Sequence, residues 1–246
     1  MFAGFTLSTV VGVPAATWLS LTLGWRGALA CVGVLAIIAA IAVAITVLTA
    51  NDPAPLQPRA FIGLLVRLRV MAALATSTMH LAAQFTIYAL MAALLIDRFG
   101  LEPTQLPMAM LLFGVGSVLG NAVAGTLADR FGAPRIVLAS FAGLAGIFGL
   151  LSLPLSPVTA AFAVAGCAAS GTLFTAPQQV RLTALVPRQE HAAVLALNAS
   201  GSIGLSVGST AASLTYGAFG LAALPAAAFL LLLVAIALFA VGRSAA

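Results

Sequence analysis

The chain is 246 residues long, 63% of its residues are hydrophobic, and its mean hydropathy is +1.19. Soluble domains carry only about 45–50% apolar residues, so the composition excludes a soluble globular protein. Ten arginines against five acidic residues give a net charge of +5. In a soluble chain that balance would suggest a nucleic-acid partner. Here the arginines lie between apolar stretches, where they set membrane topology, and we expect no nucleic-acid partner.

The apolar residues form eight stretches, each long enough to cross a bilayer as a helix. A hydrocarbon core about 30 Å thick needs roughly 20 helical residues, and lipid offers no hydrogen-bond partner to an unpaired backbone amide. The predicted fold class is therefore an all-α membrane protein with eight transmembrane helices. The predicted spans are residues 3–23, 27–49, 69–96, 105–127, 136–153, 157–179, 192–215 and 219–241.

The connections between spans predict how the chain is divided. Those at Gly24–Arg26 and Pro154–Ser156 are a few residues long, so the helices that they join are expected to pack as antiparallel neighbours. The longer segment Asn51–Pro58 carries three prolines, which stop any helix. It divides the chain into three predicted parts, which are two helices in residues 1–50, a loop in residues 51–66 and a six-helix bundle in residues 67–246.

The arginines fall unequally at the two ends of the predicted helices. With the N-terminus in the cytoplasm, eight arginines lie inside and two lie outside, as the positive-inside rule requires. The sequence therefore predicts a multi-pass protein of the cytoplasmic (inner) membrane with both termini in the cytoplasm. The inner arginines are Arg59, Arg67, Arg69, Arg130, Arg135, Arg181, Arg188 and Arg243, and the outer ones are Arg26 and Arg98.

Polar residues recur at helical spacing on four spans. A helix that faces lipid can be apolar all round, whereas one that lines a polar path cannot. Burial of a polar group without a partner costs about 2–7 kcal/mol, so the bulky stripe on the third span favours a cavity wall, although a lone histidine can also be structural. For the small hydroxyls of the seventh span, ordinary helix packing is favoured. The stripes are Thr76, His80, Gln84 and Tyr88; Ser117, Asn121 and Gly125; Thr172, Thr175 and Gln179; and Asn198, Ser202, Ser206 and Ser209.

Glycine, proline and cysteine give further structural signals. Glycines spaced by three or four residues predict close helix contacts, and prolines within or at the end of a span promote kinks. The glycines are Gly116 and Gly120, Gly204 and Gly208, and Gly143, Gly146 and Gly149; the prolines are Pro14 and Pro177. The two cysteines, Cys31 and Cys167, lie within spans and form no disulfide or metal pattern. We expect no metal and no cofactor.

The end of the fourth span reads GNAVAGTLADRFGAPR, and it resembles the loop signature of the major facilitator superfamily. Gly125 is expected to let the helix end pack tightly, and Gly132 to adopt the left-handed turn that reverses the chain. A carboxylate at a helix C-terminus opposes the macrodipole, so Asp129 should serve a neighbouring helix N-terminus or an arginine. Arg130 and Arg135 place positive charge on the cytoplasmic face.

The first span also carries a motif, with Gly12 and Pro14 in the run GVP followed by GWR at residues 24–26. It resembles the Gly-Pro motif in the fifth helix of proton-driven exporters of the arabinose-efflux-like branch. The resemblance implies that the eight spans correspond to helices five to twelve of the major facilitator fold, with the first four lacking. Residues 51–66 would then be the central cytoplasmic loop, and the nearly apolar second, fifth and eighth spans would be peripheral.

The resemblance implies a secondary active transporter that moves a small organic solute by alternating access. Efflux of a drug, sugar or nucleoside by proton antiport is expected, so the partners are the solute, protons and the lipid bilayer. The coupling acid is expected in the helices that are lacking, because the five acidic residues lie near membrane faces or in the linker. Asp129, Arg130 and Arg135 would latch a gate. The candidate substrate-binding residues are His80, Gln84, Tyr88, Asn121, Gln179 and Asn198.

Alternatives stay open from the residues alone. An uptake symporter of the same fold cannot be separated from an exporter, and a truncated, non-transporting scaffold or fragment is a second possibility. An enzyme is not expected. Residues 204–208 match G-x-S-x-G, but no His, Asp or Glu follows Ser206 to complete a catalytic triad.

Overall fold

The computed structural model describes residues 12–46, 63 and 66–244, and this part of the chain contains helices and no strand. Seven helical stretches in it are long and apolar enough to cross a membrane, which confirms the all-α membrane fold class. The main helices are α1 (Val13–Thr46), α2 (Leu68–Tyr88), α3 (Leu106–Phe131), α4 (Ala133–Leu151), α5 (Pro157–Thr172), α6 (Thr175–Leu185), α7 (Glu190–Phe219) and α8 (Leu224–Ser244).

The described parts of the first two predicted spans form one helical element, α1, which is interrupted at Gly24. The backbone there has φ 72° and ψ 167°, a conformation that glycine adopts at little cost. The interruption coincides with the start of the predicted connection at Gly24–Arg26. Residues 1–11, and residues 51–62 together with 64 and 65 of the predicted loop, lie outside the described part of the chain, and the three-part division of the chain stays a prediction.

Two of the longer spans are broken where the sequence predicts one helix each. After α2, the chain continues as a helical turn at Met91–Ala93 and a π-helical turn at Leu94–Arg98. The sixth predicted span is divided into α5 and α6, which are separated by residues 173–174. Pro177 lies four residues after Leu173, and a proline ring clashes with the carbonyl four residues earlier in a helix. The break therefore lies where the predicted effect of Pro177 places it.

Helix α2 is the centre of the packing. It lies mainly against α7 and α8, while α3 packs on α5 and α4 packs on α5 and α8. In its most apolar 18-residue stretch 67% of the residues are buried, against 6% for α1. Helix α1 contacts α3, and Ala28 is its one buried side chain among the described residues. Helix α2 is thus enclosed by its neighbours, and α1 is exposed along most of its length.

Glycines allow the closest helix contacts. A Cβ atom added to Gly116 or Gly120 would collide with α5 carbonyl groups, and one added to Gly204 or Gly208 would collide with α2 carbonyl groups. The predicted contacts at these two glycine pairs are confirmed. On α4 the same holds for Gly143, which meets the Ser170 side chain, but Gly146 and Gly149 face open space. Regular glycine spacing on α4 is therefore not evidence of a continuous contact.

Arg98 ties together the helix ends at the side opposite the arginine-rich end. Its guanidinium donates to the carbonyl oxygens of Ser152 at 3.1 Å and Ala222 at 3.2 Å. Ser152 caps α4, and a cation at a helix C-terminus interacts favourably with the helix dipole. The residue thus connects the end of the α2 region to the end of α4 and the start of α8.

Candidate functional site

The polar stripe of α2 lies in the packed interior. His80 is fully buried, and its imidazole stacks on Phe174 with ring centroids 3.8 Å apart and an interplanar angle of 14°. Phe141 lies 5.7 Å away on a tilted ring. The Nε2 atom is 3.4 Å from the Gly171 carbonyl oxygen, and the Nδ1 atom has no hydrogen-bond partner among the described residues. The structure therefore places His80 in an aromatic slot and not on an open cavity wall.

Gln84 and Tyr88 continue the same contact between α2 and α5. The Gln84 amide rests directly on Gly171, where any Cβ atom would overlap it. Its Nε2 atom donates to the Tyr88 hydroxyl at 3.3 Å. The half-buried Tyr88 ring meets Phe113 edge to face at 4.7 Å, and the Cys167 thiol lies beside its hydroxyl. Gly171 thus meets the His80 imidazole and the Gln84 amide at one point, a role that the sequence analysis did not assign to it.

A second buried amide, Gln178 on α6, was missed because the predicted candidate was its neighbour Gln179. Gln178 is fully buried; its Nε2 atom donates to the Ala73 carbonyl at 2.8 Å and to the Ser77 hydroxyl at 3.2 Å. Its Oε1 atom accepts from Arg181 at 2.7 Å. Gln179 is half-buried and forms no side-chain hydrogen bond within the described residues. The sequence contained a signal for this burial, because Gln178 lies four residues before the apolar Leu182 and so shares a helix face with it.

Most polar residues in the middle of α7 lie on an exposed face, which we call the α7 polar face, whereas Ser200 is buried. On the other side of the helix, Gly201, Gly204 and Gly208 are buried and face α2. At 100° per residue the two sets point in clearly different directions. The members of the α7 polar face are the exposed Asn198, Ser202, Ser206, Thr210 and Ser213, with the half-buried Ser209.

Three hydroxyl groups of this face have hydrogen-bond partners, whereas its amide has none among the described residues. Ser202, Ser206 and Thr210 each donate to the carbonyl four residues earlier, so lipid contact would cost them little. The Asn198 amide has no hydrogen bond in the described part of the chain. It lies about 10 Å along the axis from the middle of this 30-residue helix. At that depth an unpaired amide is costly in hydrocarbon, which favours water or another polypeptide over this face.

The six predicted binding residues do not converge on one point. His80, Gln84 and Tyr88 meet α5 in the interior, whereas Asn198 is exposed on α7. Asn121 is half-buried on α3, and within the described chain its side chain makes no hydrogen bond. The structure therefore separates a buried polar group on α2 from polar side chains that remain accessible.

The turn after α3 has the conformation that its motif predicts. Gly132 has φ 90°; its N–H donates to Ala128 at 2.8 Å, and its carbonyl accepts from Arg135 at 3.1 Å. The left-handed turn is confirmed. The expectation for Gly125 is wrong, because this glycine is exposed and open space lies where its Cβ would be. The motif glycine at this position does not support a close contact among the described residues.

The charged residues of the motif point outward. Asp129, Arg130 and Arg135 are all exposed. The Arg130 guanidinium lies over the adjacent Phe131 ring at 5.3 Å, and Asp129 forms no ion pair in the part of the chain that the structure describes. A partner for the Asp129 carboxylate stays a prediction.

The first-span motif lies at the edge of the described residues. Gly12 is exposed, and Pro14 occupies the first turn of α1, where a proline costs no intrahelical hydrogen bond. Residues 1–11, which precede Pro14, lie outside the described part, so the kink at Pro14 stays a prediction.

Comparison with known proteins identifies the family. The model of the Major Facilitator Superfamily matches residues 73–245, well over half of the chain. The inner membrane transport protein YdhP of Escherichia coli K12 is 33% identical over 130 residues, which are 53% of this chain and 33% of that protein. A chloramphenicol resistance protein of Streptomyces lividans is 33% identical over 162 residues, 64% of this chain and 41% of that protein.

A Bacillus subtilis protein, the uncharacterized MFS-type transporter YbcL, is 24% identical over 131 residues. The matched segments thus span less than half the length of these relatives. The family match begins inside α2 and ends beyond α8. The seven membrane-length helices and the left-handed turn at Gly132 are consistent with this family. The chain belongs to the Major Facilitator Superfamily.

Proposed function

We propose that the chain takes part in exporting a small organic solute by alternating access, with proton antiport as the energy source. The observation that carries this proposal is the α7 polar face, which is exposed on a helix long enough to span the membrane. Asn198 is its most demanding member, since its amide needs a polar partner at a depth where lipid has none. A water-filled path for solute supplies such a partner.

Export is favoured over uptake by the first-span motif and by one relative. The Streptomyces protein is named for chloramphenicol resistance, and export of a drug is the way in which a membrane transporter can give resistance. The two proteins are 33% identical over a segment that makes up 64% of the present chain. A small, weakly polar organic solute also suits a wall of serine hydroxyls and a single amide.

Proton coupling needs a group that titrates within the membrane. The four acids in the described part, Asp97, Glu102, Asp129 and Glu190, are all exposed and lie outside the middle of any span. We therefore propose that the coupling acid lies elsewhere in the transporting assembly. The fully buried His80, stacked on Phe174, is assigned a structural role in this scheme.

The direct test is solute efflux from proteoliposomes that contain the protein. Chloramphenicol and a panel of sugars and nucleosides serve as probes, and an imposed pH gradient is collapsed with a protonophore. Efflux that stops when the gradient is lost supports the proposal. A folded protein that moves none of the solutes contradicts it and favours a non-transporting role, whereas uptake down the proton gradient favours a symporter.

The water path can be tested separately by cysteine labelling. After Cys31 and Cys167 are replaced by serine and alanine, single cysteines are introduced as N198C and S206C on α7, with V234C on α8 as the control. Val234 is exposed, and its helix is almost wholly apolar. A membrane-impermeant thiol reagent should label the two α7 positions and spare V234C. Equal protection of all three positions would contradict a water-filled path.

A further inference from the structure

A cavity of about 190 Å³ opens between the first turns of α2 and the last turns of α6 and α8. It has room for several water molecules, each of which takes about 30 Å³ in the liquid. Arg69, Arg181 and Phe239 lie in its wall, and no carboxylate among the described residues lines it. A neighbouring depression shares Arg69 and adds Arg67. The cavity is thus a polar opening of one sign of charge at the arginine-rich end of the helices.

Arg181 of the cavity wall and Arg243, which follows the lining residue Gly242, share one aromatic ring. The guanidinium carbon of Arg181 lies 4.2 Å from the centroid of Phe239, and that of Arg243 lies 5.9 Å from the same centroid. Cation–π contact with Phe239 holds each group near the cavity. Both cations lie beside the same ring, so a negative charge near them would be stabilising.

The hydrogen-bonding capacity of Arg181 is mostly unused. Its side chain is half-buried, and one of its five N–H donors is taken by the Oε1 atom of Gln178 at 2.7 Å. Neither Arg181 nor Arg243 forms an ion pair with a carboxylate in the described part of the chain. A partly buried cation without a counter-charge is costly, and a planar guanidinium matches the oxygens of a phosphate better than any neutral acceptor.

We propose that this cavity binds a phosphate group, with Arg181 of its wall as the main ligand, Arg69 at its edge, and Arg243, which follows the lining residue Gly242, as a second ligand from outside the wall. Two sources share that chemistry, which are the headgroup of an anionic phospholipid and a soluble phosphate. A basic pocket between helices at a membrane face is typical of the first. The site lies at the end of α2 and is separate from the α7 polar face, so it stands or fails independently of the proposed transport function.

The test compares phosphate-bearing probes on the purified full chain. Native mass spectrometry counts bound phosphatidylglycerol against phosphatidylcholine, and thermal melting in detergent compares inorganic phosphate with chloride at equal ionic strength. The variants are R181Q and R243Q, with R26Q as the matched control. Arg26 is an exposed arginine whose guanidinium lies over the neighbouring Trp25.

We expect phosphatidylglycerol to bind at least tenfold more weakly to R181Q and R243Q and equally well to R26Q. Protection by inorganic phosphate with the same dependence on the variants, without selective lipid binding, supports the site with a soluble ligand. If R181Q does not fold, R181K and R243Q decide the question, because R181K retains the charge and should bind better than R243Q. Binding that is the same in wild type and all variants, with no effect of phosphate on melting, overturns the proposal.

Discussion

The polar stripes of α2 and α7 look alike as sequence and differ completely in the folded chain. Both place polar residues on one helix face at three- or four-residue spacing. In α2 the stripe is enclosed, with His80 and Gln84 held against Gly171 of α5. In α7 the stripe is exposed, because the glycine face of the same helix packs on α2. The bulky residues thus serve as packing, and the small hydroxyls remain accessible, which is the reverse of what residue size favours.

Whether a polar helix face is buried or exposed depends on which face of the same helix packs against its neighbours. Helix α7 carries glycines that approach α2 more closely than larger residues could, so these glycines are buried and the serines of the α7 polar face are exposed. Helix α2 has no comparable exposed face, because neighbouring helices cover it on most sides. Its buried hydroxyls donate to carbonyls of the same helix, whereas His80 and Gln84 meet Gly171 of α5.

The largest expected effect comes from filling the space between α2 and α5. In G171A the new methyl group overlaps the Gln84 amide, and overpacking of this kind costs about 1–3 kcal/mol or more. The free energy of unfolding, measured by denaturant titration in detergent, should fall by that amount. The double variant G171A/Q84A should recover much of the loss.

The control for that experiment is G146A on α4, where an added Cβ meets no atom within 4 Å. In a helix interior alanine is favoured over glycine by about 0.5–1 kcal/mol, so G146A should be neutral or stabilising. If G171A and G146A are equally stable, the contact of Gln84 with Gly171 does not hold α2 in place.

A second effect separates the neighbouring amides of α6. Q178L removes the hydrogen bonds to Ala73 and Ser77 and leaves Arg181 without its acceptor. A lost buried hydrogen bond that leaves polar groups unsatisfied costs about 1–3 kcal/mol. Q179L should change the free energy of unfolding by less than about 0.5 kcal/mol, as is usual at partly exposed sites. Equal losses for the two variants would contradict the assignment of Gln178 as the structural amide.

A third effect tests the α7 polar face through transport and not through stability. N198L should leave the unfolding free energy within about 0.5 kcal/mol of wild type, because Asn198 is exposed and its amide makes no hydrogen bond in the described chain. Efflux in proteoliposomes should fall by an order of magnitude, since a leucine adds an apolar side chain to the proposed path. Unchanged efflux would remove Asn198 from the solute path.

The smallest effect is expected at His80. H80F keeps the ring stacked on Phe174 and removes a 3.4 Å hydrogen bond together with the Nδ1 atom that lacks a partner. Loss of the hydrogen bond should destabilise the fold and removal of the unpaired Nδ1 atom should stabilise it. The two effects should nearly cancel, so the unfolding free energy should change by less than about 1 kcal/mol. The pH dependence of efflux should be the same as in wild type. A shifted pH profile in H80F would assign His80 to proton coupling instead.

The fold class was accessible from the sequence because the bilayer imposes it. A hydrophobic stretch of about 20 residues has few alternatives to a spanning helix, and Gly132 has few alternatives to a left-handed turn at the point where the chain reverses. The break at residues 173–174 follows from the local geometry of Pro177, although the sequence alone predicted one span there. Such local rules act within a few residues and need no knowledge of neighbours.

The candidate site was less accessible, because burial depends on which helices meet. The choice between Gln178 and Gln179 is a rotation of about 100° around one helix, and it is decided by the position of α2 against α6. Close helix contacts were expected from the sequence at Gly116, Gly125 and Gly146, yet open space lies over Gly125 and Gly146, and an α5 carbonyl lies over Gly116. The sequence by itself thus determined the membrane helices, the turn and the family. The tertiary structure alone decided which polar face is enclosed, because close packing is a property of pairs of helices.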